Sequence, residues 1–375
     1  MKINIIGPTY PHRGGISHYN TLLCNHLSKN HDVHLISFKR LYPAFLYPGG
    51  NQKDDVSKNL IKTDSEAIVD SINPLTWLKA FAKISKEKPD MLIFHWWTPF
   101  FTPVFYSIAK LTRIFTKTKI LFICHNVLPH EGRNIDNLLT KLVLKRGSSF
   151  IVHSSEDYKN LKKILPSANV KQTVHPTYDI FNFEDHYDKT SKKMLGINNK
   201  SILFFGAIRE YKGLKYLIEA MPIVLQHIDA TLIIAGQFWE DKSIYVKQIK
   251  EYGIEDNVNI VDEYIPNEKV GVYMTAADIV VLPYLSATQS GIIQIAYGFN
   301  KPVISTNVGG LPDVVKDGET GFLVDSANPE ALAHAIVSYF NEGCEEVFVE
   351  NIKKENERFS WDVMVGLVEE ITNVC

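Results

Sequence analysis

Arg209 and Lys212 stand three residues apart, directly after the apolar run Ile202–Phe205 and before Gly213. Two cations fixed there could clamp a diphosphate and stabilise negative charge on it as it leaves. The competing reading is a solvated surface pair. Ser290 and Gly291 offer a second anion site: Ser290 is a candidate N-cap for a helix reaching Phe299, and Gly291 lets a ligand approach the unpaired N–H groups of its first turn. A strand-loop-helix unit that binds nothing is the alternative there. Gly14-Gly15 opens the helix after the first strand, where missing β-carbons expose backbone to a ligand, or simply make a tight turn. His125 ends another apolar strand and could donate a hydrogen bond or move a proton, against the reading of a satisfied structural histidine. Glu131, six residues on, could be a base or positioner, or an exposed loop glutamate. Thirteen histidines and four cysteines are scattered without HExxH, DxD or CxxC spacing, so no metal site is expected. Neither a GxSxG elbow nor a flanked cysteine suggests a nucleophilic triad.

The elements that must position these residues alternate along the chain. Strand-like runs at Ile3–Ile6, Val33–Ser37, Met91–Phe94, Ile120–Cys124 and Phe150–His153 are separated by helical patterns such as Ser17–Ser28, Pro74–Lys88 and Asp136–Lys145. A second series follows at Ile202–Phe205, Thr231–Ala235, Val258–Val261, Ile279–Leu282 and Val303–Ser305. Alternation of this kind means parallel sheets covered by helices, an α/β chain of two doubly wound, Rossmann-like domains. Pro176–Lys200 has no clean period and reads as the linker, giving a first domain of 1–180 and a second of 181–357. Ligands of open parallel sheets bind beyond the carboxyl ends of the strands, so the site is expected in the cleft between the domains.

The 375 residues are 45% hydrophobic and 22% charged, ordinary for a globular protein, with no apolar run long enough to span a membrane and no signal-peptide pattern. The unpaired cysteines fit a reducing compartment, and the cytoplasm is the expected location. The net charge of −2 conceals an asymmetry. Residues 1–180 hold 24 Lys and Arg against 13 Asp and Glu, a net +11, while 181–375 hold 16 against 29, a net −13. A basic first half suits an acidic partner or reflects chance division of charge; a peripheral contact with an anionic membrane is expected from it, at the inner face of the cell membrane, and no nucleic acid. Within 95–119, Val104, Ile108, Leu111 and Phe115 form one helical stripe and Lys110, Arg113 and Lys117 another. That pattern fits a monotopic membrane contact or core packing beneath a solvated face.

Together the motifs resemble the family 4 retaining glycosyltransferases of GT-B architecture. The resemblance covers nearly the whole chain through Gly14-Gly15, His125-Asn126, Lys212-Gly213, the block Lys301–Pro312, Asp317-Gly-Glu-Thr-Gly321 and the terminal Phe359-Ser-Trp361. It implies transfer of a hexosyl unit from a UDP- or GDP-sugar to a glycan or lipid-linked acceptor, in cell-surface polysaccharide or glycoconjugate synthesis, with retention and usually without a metal or other cofactor. It places the donor on the second domain and the acceptor on the first, with the helix of 358–375 crossing back to the first. Carried over by position, Lys212 binds the donor diphosphate, the N–H groups of Gly15 and Gly291 assist, and His125 lies near the transferred sugar. Gly14, Gly206, Ser290, Ile292 and Gln294 complete the candidate donor contacts. His130, Glu131, Trp96 and Trp97 are the candidates for the acceptor.

Two departures from the family pattern stand out. The arginine that usually follows the glycine equivalent to Gly206 is replaced by Ala207, and Arg209 could take its role. The two family glutamates fall at Ala287 and Ile295, and no glutamate occurs between Glu268 and Glu319. Ser290 or Gln294 would then replace a carboxylate in donor recognition. A non-catalytic nucleotide-sugar sensor or scaffold, and a sugar-nucleotide epimerase on the same fold, are the alternative functions.

Overall fold

In the computed structural model, which describes residues 1–47, 51–128, 134–183 and 190–374, the short Ile/Val/Leu/Phe runs become the central strands of two parallel sheets. One compact unit comprises Met1–Asp55, Leu60–Val174 and Ser360–Cys375, and the other Val56–Asn59 and His175–Phe359. The change from the long segment of the first unit to that of the second falls at 174/175, where composition placed it at 180/181.

The first unit carries β1 (Lys2–Ile6), β2 (Asp32–Arg40), β3 (Ser65–Asp70), β4 (Met91–Trp96), β5 (Lys119–Cys124), β6 (Ser149–Val152) and β7 (Val170–Gln172), ordered β3-β2-β1-β4-β5-β6-β7. β4 is buried at every residue, as a central strand covered on both faces must be. Parallel strands need crossover helices, and their right-handedness fixes the layers. From β3 through β6 the chain moves one way across the sheet, so helices Pro74–Glu87, Thr102–Phe115 and Asn134–Leu144 share one face. From β1 to β2 it moves the other way, so Gly15–Leu27 lies on the opposite face. There the C-terminal helix Trp361–Val374 joins it: the Trp361 ring sits 5.2 Å from Tyr19 and stacks 5.5 Å from His26. His31 meets Glu369 at 2.7 Å, and the Lys119 ammonium donates to the Thr372 carbonyl at 2.9 Å.

The 95–119 stripe resolves mainly as core. Val104 and Ile108 are fully buried among Phe94, Phe101, Phe105 and Phe122, and only Phe115 at the helix end is exposed. Trp96 is also a core residue with no exposed surface, its indole N–H donating to the Val127 carbonyl at 3.3 Å. The expected acceptor contact at Trp96 is therefore corrected, because a ring sealed beneath the sheet cannot touch a ligand.

The second unit carries β8 (Lys200–Phe205), β9 (Ala230–Ala235), β10 (Val258–Val261), β11 (Ile279–Leu282), β12 (Val303–Thr306) and β13 (Gly321–Val324), ordered β10-β9-β8-β11-β12-β13. Its four-residue segment Val56–Asn59 is held by side chains at the start of helix Asn267–Ala276. The Glu268 carboxylate accepts from the Lys58 N–H at 3.1 Å, and the Asn267 N–H donates to Ser57 Oγ at 3.0 Å.

The strands absent from the sequence reading are β3, β7 and β13, and all three lie at sheet edges. An edge strand needs no unbroken apolar run. β3 exposes Ser65, Glu66 and Ala67, and β7 is only Val-Lys-Gln.

Candidate donor site and a buried histidine cluster

In the second unit the chain turns left from β8 to β9 and later returns to the right of β8 with β11. This switch point opens a crevice beyond the carboxyl ends of β8 and β11. The segments following those two strands are Gly206–Lys212 and Pro283–Gly291. Sheet order thus brings together two stretches about eighty residues apart.

Backbone geometry seals them. Gly213 has φ +66°, and a Cβ there would lie 2.0 Å from the Pro283 carbonyl oxygen. Gly206 has φ +99°, and a Cβ on it would meet both Ile292 Cδ1 and Lys212 Nζ at 3.2 Å. The Lys212 ammonium, the end of β8 and the first turn of helix Gly291–Gly298 therefore occupy one small space. Ser290 sits at the N-cap, as its spacing predicts, with φ −137°, but its hydroxyl makes no capping bond to the first-turn N–H groups. The positive end of the helix is left to other partners.

Lys212 is buried, and among the described residues it makes no salt bridge. Burial, and then the nearby Arg209 charge, lower its pKa to about 8. Its nearest aromatic neighbour is Tyr284, whose ring centre lies 5.7 Å from Nζ. Arg209 is exposed and lies over the rings of Tyr211 and Trp239 at 5.5 and 5.2 Å, which hold the guanidinium without neutralising it. A buried ammonium beside a second cation and a helix N-terminus is costly unless an anion completes it. Gln294, one turn into the same helix, is fully buried with neither amide atom bonded among the described residues. Ala287 and Ile295 are buried as well.

The first unit gathers histidines at the carboxyl ends of adjacent strands. His95 on β4 approaches His125, just past β5, with Nδ1 and Nε2 2.9 Å apart and rings stacked 5.2 Å between centres. His153, just past β6, lies 5.6 Å from His125, and the Tyr19 ring meets all three edge-on at 4.7 to 5.6 Å. Burial is the main cause lowering His95 to about 3 and His153 to about 4, so both are neutral imidazoles near pH 7. His125 itself is buried. Among the described residues no group of three or more His, Cys, Asp or Glu is placed to hold a metal. Sequence reasoning singled out His125 alone. The available signal was a histidine at or next to the end of three successive strands; register brings His125 level with His153 and pairs His95 with Ile123, two residues before His125.

The loop after His125 is tied from two sides. The His125 N–H donates to the Trp96 carbonyl at 2.8 Å, and the Val127 N–H donates to the Asp157 carboxylate at 2.7 Å. Ser154 caps the following helix by accepting from the Asp157 N–H at 3.1 Å. Burial raises Asp157 to about 7. An acid whose pKa is raised on folding holds its proton more tightly in the native state. Its contribution to stability is therefore present at low pH and lost as pH rises from the unfolded value toward about 7. Asp157→Asn keeps an acceptor for Val127 and cannot ionise. Its melting temperature relative to the unaltered protein is expected to be higher at pH 8 than at pH 5; an equal difference at both would show that Asp157 does not titrate in this range.

Elsewhere, Gly14 caps helix Gly15–Leu27 at φ +107°, and a Cβ on either glycine would meet nothing within 4 Å. Backbone conformation, not crowding, is what favours glycine at 14. Trp97 is half-buried, its indole N–H donating to the Tyr42 hydroxyl at 2.8 Å. His130 and Glu131 lie outside the described residues.

A model of the glycosyl transferases group 1 matches residues 199–342, which lie within the second unit. Over that stretch the second unit is similar to the glycosyl transferases group 1. Among curated relatives, a D-inositol 3-phosphate glycosyltransferase of Corynebacterium glutamicum is 28% identical over 230 residues, covering 59% of this chain and 53% of the relative. The chain spans about half the length of the curated relatives it matches. Two solved structures, each 18% identical, share its fold. The sucrose-phosphate synthase of Thermosynechococcus elongatus has a TM-score of 0.77 over 99% of this chain and 98% of its own. Anabaena HepE, solved in complex with UDP-glucose, has a TM-score of 0.75 over the whole of both chains. The two Rossmann-like units are thus those of the GT-B fold.

Proposed function

We propose that the protein transfers a hexosyl unit from a nucleotide-diphosphate sugar, with retention, to a glycan or lipid-linked acceptor. The observation that carries this reading is Lys212: a buried cation with no anionic partner among the described residues, set between the end of β8 and a helix start without a side-chain cap, where a diphosphate supplies the missing charge. The likeness to HepE, solved with UDP-glucose, makes UDP the first nucleotide to test and GDP the second. Lys212, Arg209 and the N–H groups from Gly291 onward carry the charge of the departing diphosphate, and in this reading no metal is required. Gln294 contacts the nucleoside with its amide. No protein nucleophile is invoked. The acceptor hydroxyl attacks on the face the leaving group departs from, its proton passing to a phosphate oxygen of that group. The acceptor belongs to the first unit, and the free cysteines suit a cytoplasmic reaction.

Incubation with radiolabelled UDP- and GDP-sugars and a membrane extract tests the reading. Label entering glycan or lipid supports transfer. Interconversion of the free donor would make the protein an epimerase, and tight nucleotide binding without either would make it a sensor or scaffold.

The lowered pKa of Lys212 adds a signature. An anion bound beside it favours the ammonium, so UDP affinity is expected to hold below about pH 8 and to fall as pH rises beyond it. Calorimetric titration at pH 7 and pH 9 measures this, and in Lys212→Ala the dependence should vanish.

A further inference from the structure

A neutral imidazole carries one proton, and the hydrogen bond at one ring nitrogen decides what the other nitrogen can do. Among the three clustered histidines of the first unit, His153 is the simplest. Its Nδ1 lies 3.2 Å from the Thr173 carbonyl oxygen, which can only accept, so the single proton of this neutral ring is on Nδ1. His153 therefore has no N–H to offer His125.

His95 and His125 settle each other. His95 Nδ1 and His125 Nε2 are 2.9 Å apart between two buried rings, so one nitrogen carries the proton and the other a lone pair. Two neutral rings satisfy this contact in only two ways. In the first, His95 Nδ1–H donates, which leaves a bare lone pair on His95 Nε2 and puts the His125 proton on Nδ1. In the second, His125 Nε2–H donates, and His95 must carry its own proton on Nε2. That nitrogen decides between them. His95 has no exposed surface, and its Nε2 has no hydrogen-bond partner among the described residues. Around it lie the Tyr19 ring, edge-on at 5.6 Å, and the backbone of Gly7, where a Cβ would sit 3.0 Å from His95 Cδ2. A buried N–H without an acceptor is rarer and more costly than an unused lone pair, so the first arrangement is favoured.

The place of this pair in the sheet matters. His95 ends β4 beside Gly7, which follows β1, and the strand order of the first unit reverses between β1 and β4. Ligands of open parallel sheets bind beyond such a switch point.

We propose that His95 is a positioning residue that holds the His125 proton on Nδ1, so that His125 meets a ligand oxygen, such as a sugar hydroxyl, as a hydrogen-bond donor and not as a base. The His125 Nε2 lone pair is taken up by His95, and Nδ1 is already protonated. No lone pair is left to remove a proton from an acceptor hydroxyl. This fits the proposed transfer, in which that proton passes to the leaving diphosphate; the kinetic expectation below rests on that reading, whereas the tautomer does not.

Nitrogen-15 NMR of the full chain labelled at its histidines tests the proposal, with His125→Gln identifying the His125 signals. At pH 7 the His125 ring should show a protonated Nδ1 and an unprotonated Nε2. His95→Leu removes the donor, and the Nε2–H tautomer should then appear. His95→Asn keeps an N–H donor near the position of Nδ1 and should preserve the original pattern. In the transfer assay His95→Leu should lower kcat at least about fivefold with KM for the donor unchanged, and His95→Asn should restore most of it. An Nε2–H or doubly protonated His125 ring in the unaltered protein overturns the proposal, as does an unchanged His125 tautomer in His95→Leu. Equal kcat values in the leucine and asparagine variants would also overturn it, making His95 a packing residue. If His95→Leu does not fold, the unaltered protein and His95→Asn still decide the tautomer. Absence of transfer by the unaltered protein would count against the transfer reading and leave the NMR result standing.

Discussion

Replacing Lys212 with alanine is expected to lower sugar transfer at least tenfold, on the order of 1.4 kcal/mol or more of transition-state stabilisation, while leaving the protein as stable as before or more so. The two effects have opposite signs for one reason. Burial in the second unit disfavours the charged form of Lys212, with a folded pKa of about 8 against an ordinary 10.5, so below pH 8 the ammonium opposes folding. The same uncompensated charge is what a departing diphosphate meets. Lys212→Met, which keeps the stem and drops the charge, separates packing from electrostatics: it should lose transfer as alanine does and melt at an equal or higher temperature. A fall in melting temperature with unchanged kinetics would mean that Lys212 is a structural residue and would remove it from the mechanism.

Gly213→Ala is expected to be among the most destabilising single substitutions in the second unit, by about 3 kcal/mol or more. The added Cβ would lie 2.0 Å from the Pro283 carbonyl oxygen, and φ is +66°. No rotamer relieves that contact, because a Cβ and a carbonyl oxygen are both fixed to backbone, here in the segments that follow β8 and β11. Gly318→Ala is the control. It has a similar φ of +71° but no atom within 4 Å of the new Cβ, so it carries conformational strain alone, about 1 kcal/mol. Urea denaturation of the two variants should separate them clearly; equal midpoints would show that the β8 loop can withdraw from Pro283.

The central strands were legible because a parallel strand buried on both faces has to be an apolar run. Ile202–Phe205 and Ile279–Leu282 could scarcely be anything else. The edge strands β3, β7 and β13 were not legible. Their outer sides need no apolar residues, and their identity comes from the neighbour they pair with. At the site, Lys212 and Gly291 could be singled out by residue type after a strand. Ser290 is legible as the N-cap residue, but whether its hydroxyl makes the capping bond depends on side-chain direction, which spacing does not encode. Trp96 was misassigned for a related reason: two adjacent tryptophans at a strand end point to opposite faces of the sheet, and only packing says which one is sealed.

Periodicity and residue type, which are local, determined by themselves that this chain would form two doubly wound parallel sheets and that cations and glycines would gather at strand ends. The tertiary structure decided what those residues face. Strand order set Lys212 beside a helix start from a distant segment and gathered three histidines of separate strands around Tyr19. Burial, and with it the pKa of Lys212 and Asp157, depends on neighbours far apart in sequence, and no local pattern contains that information.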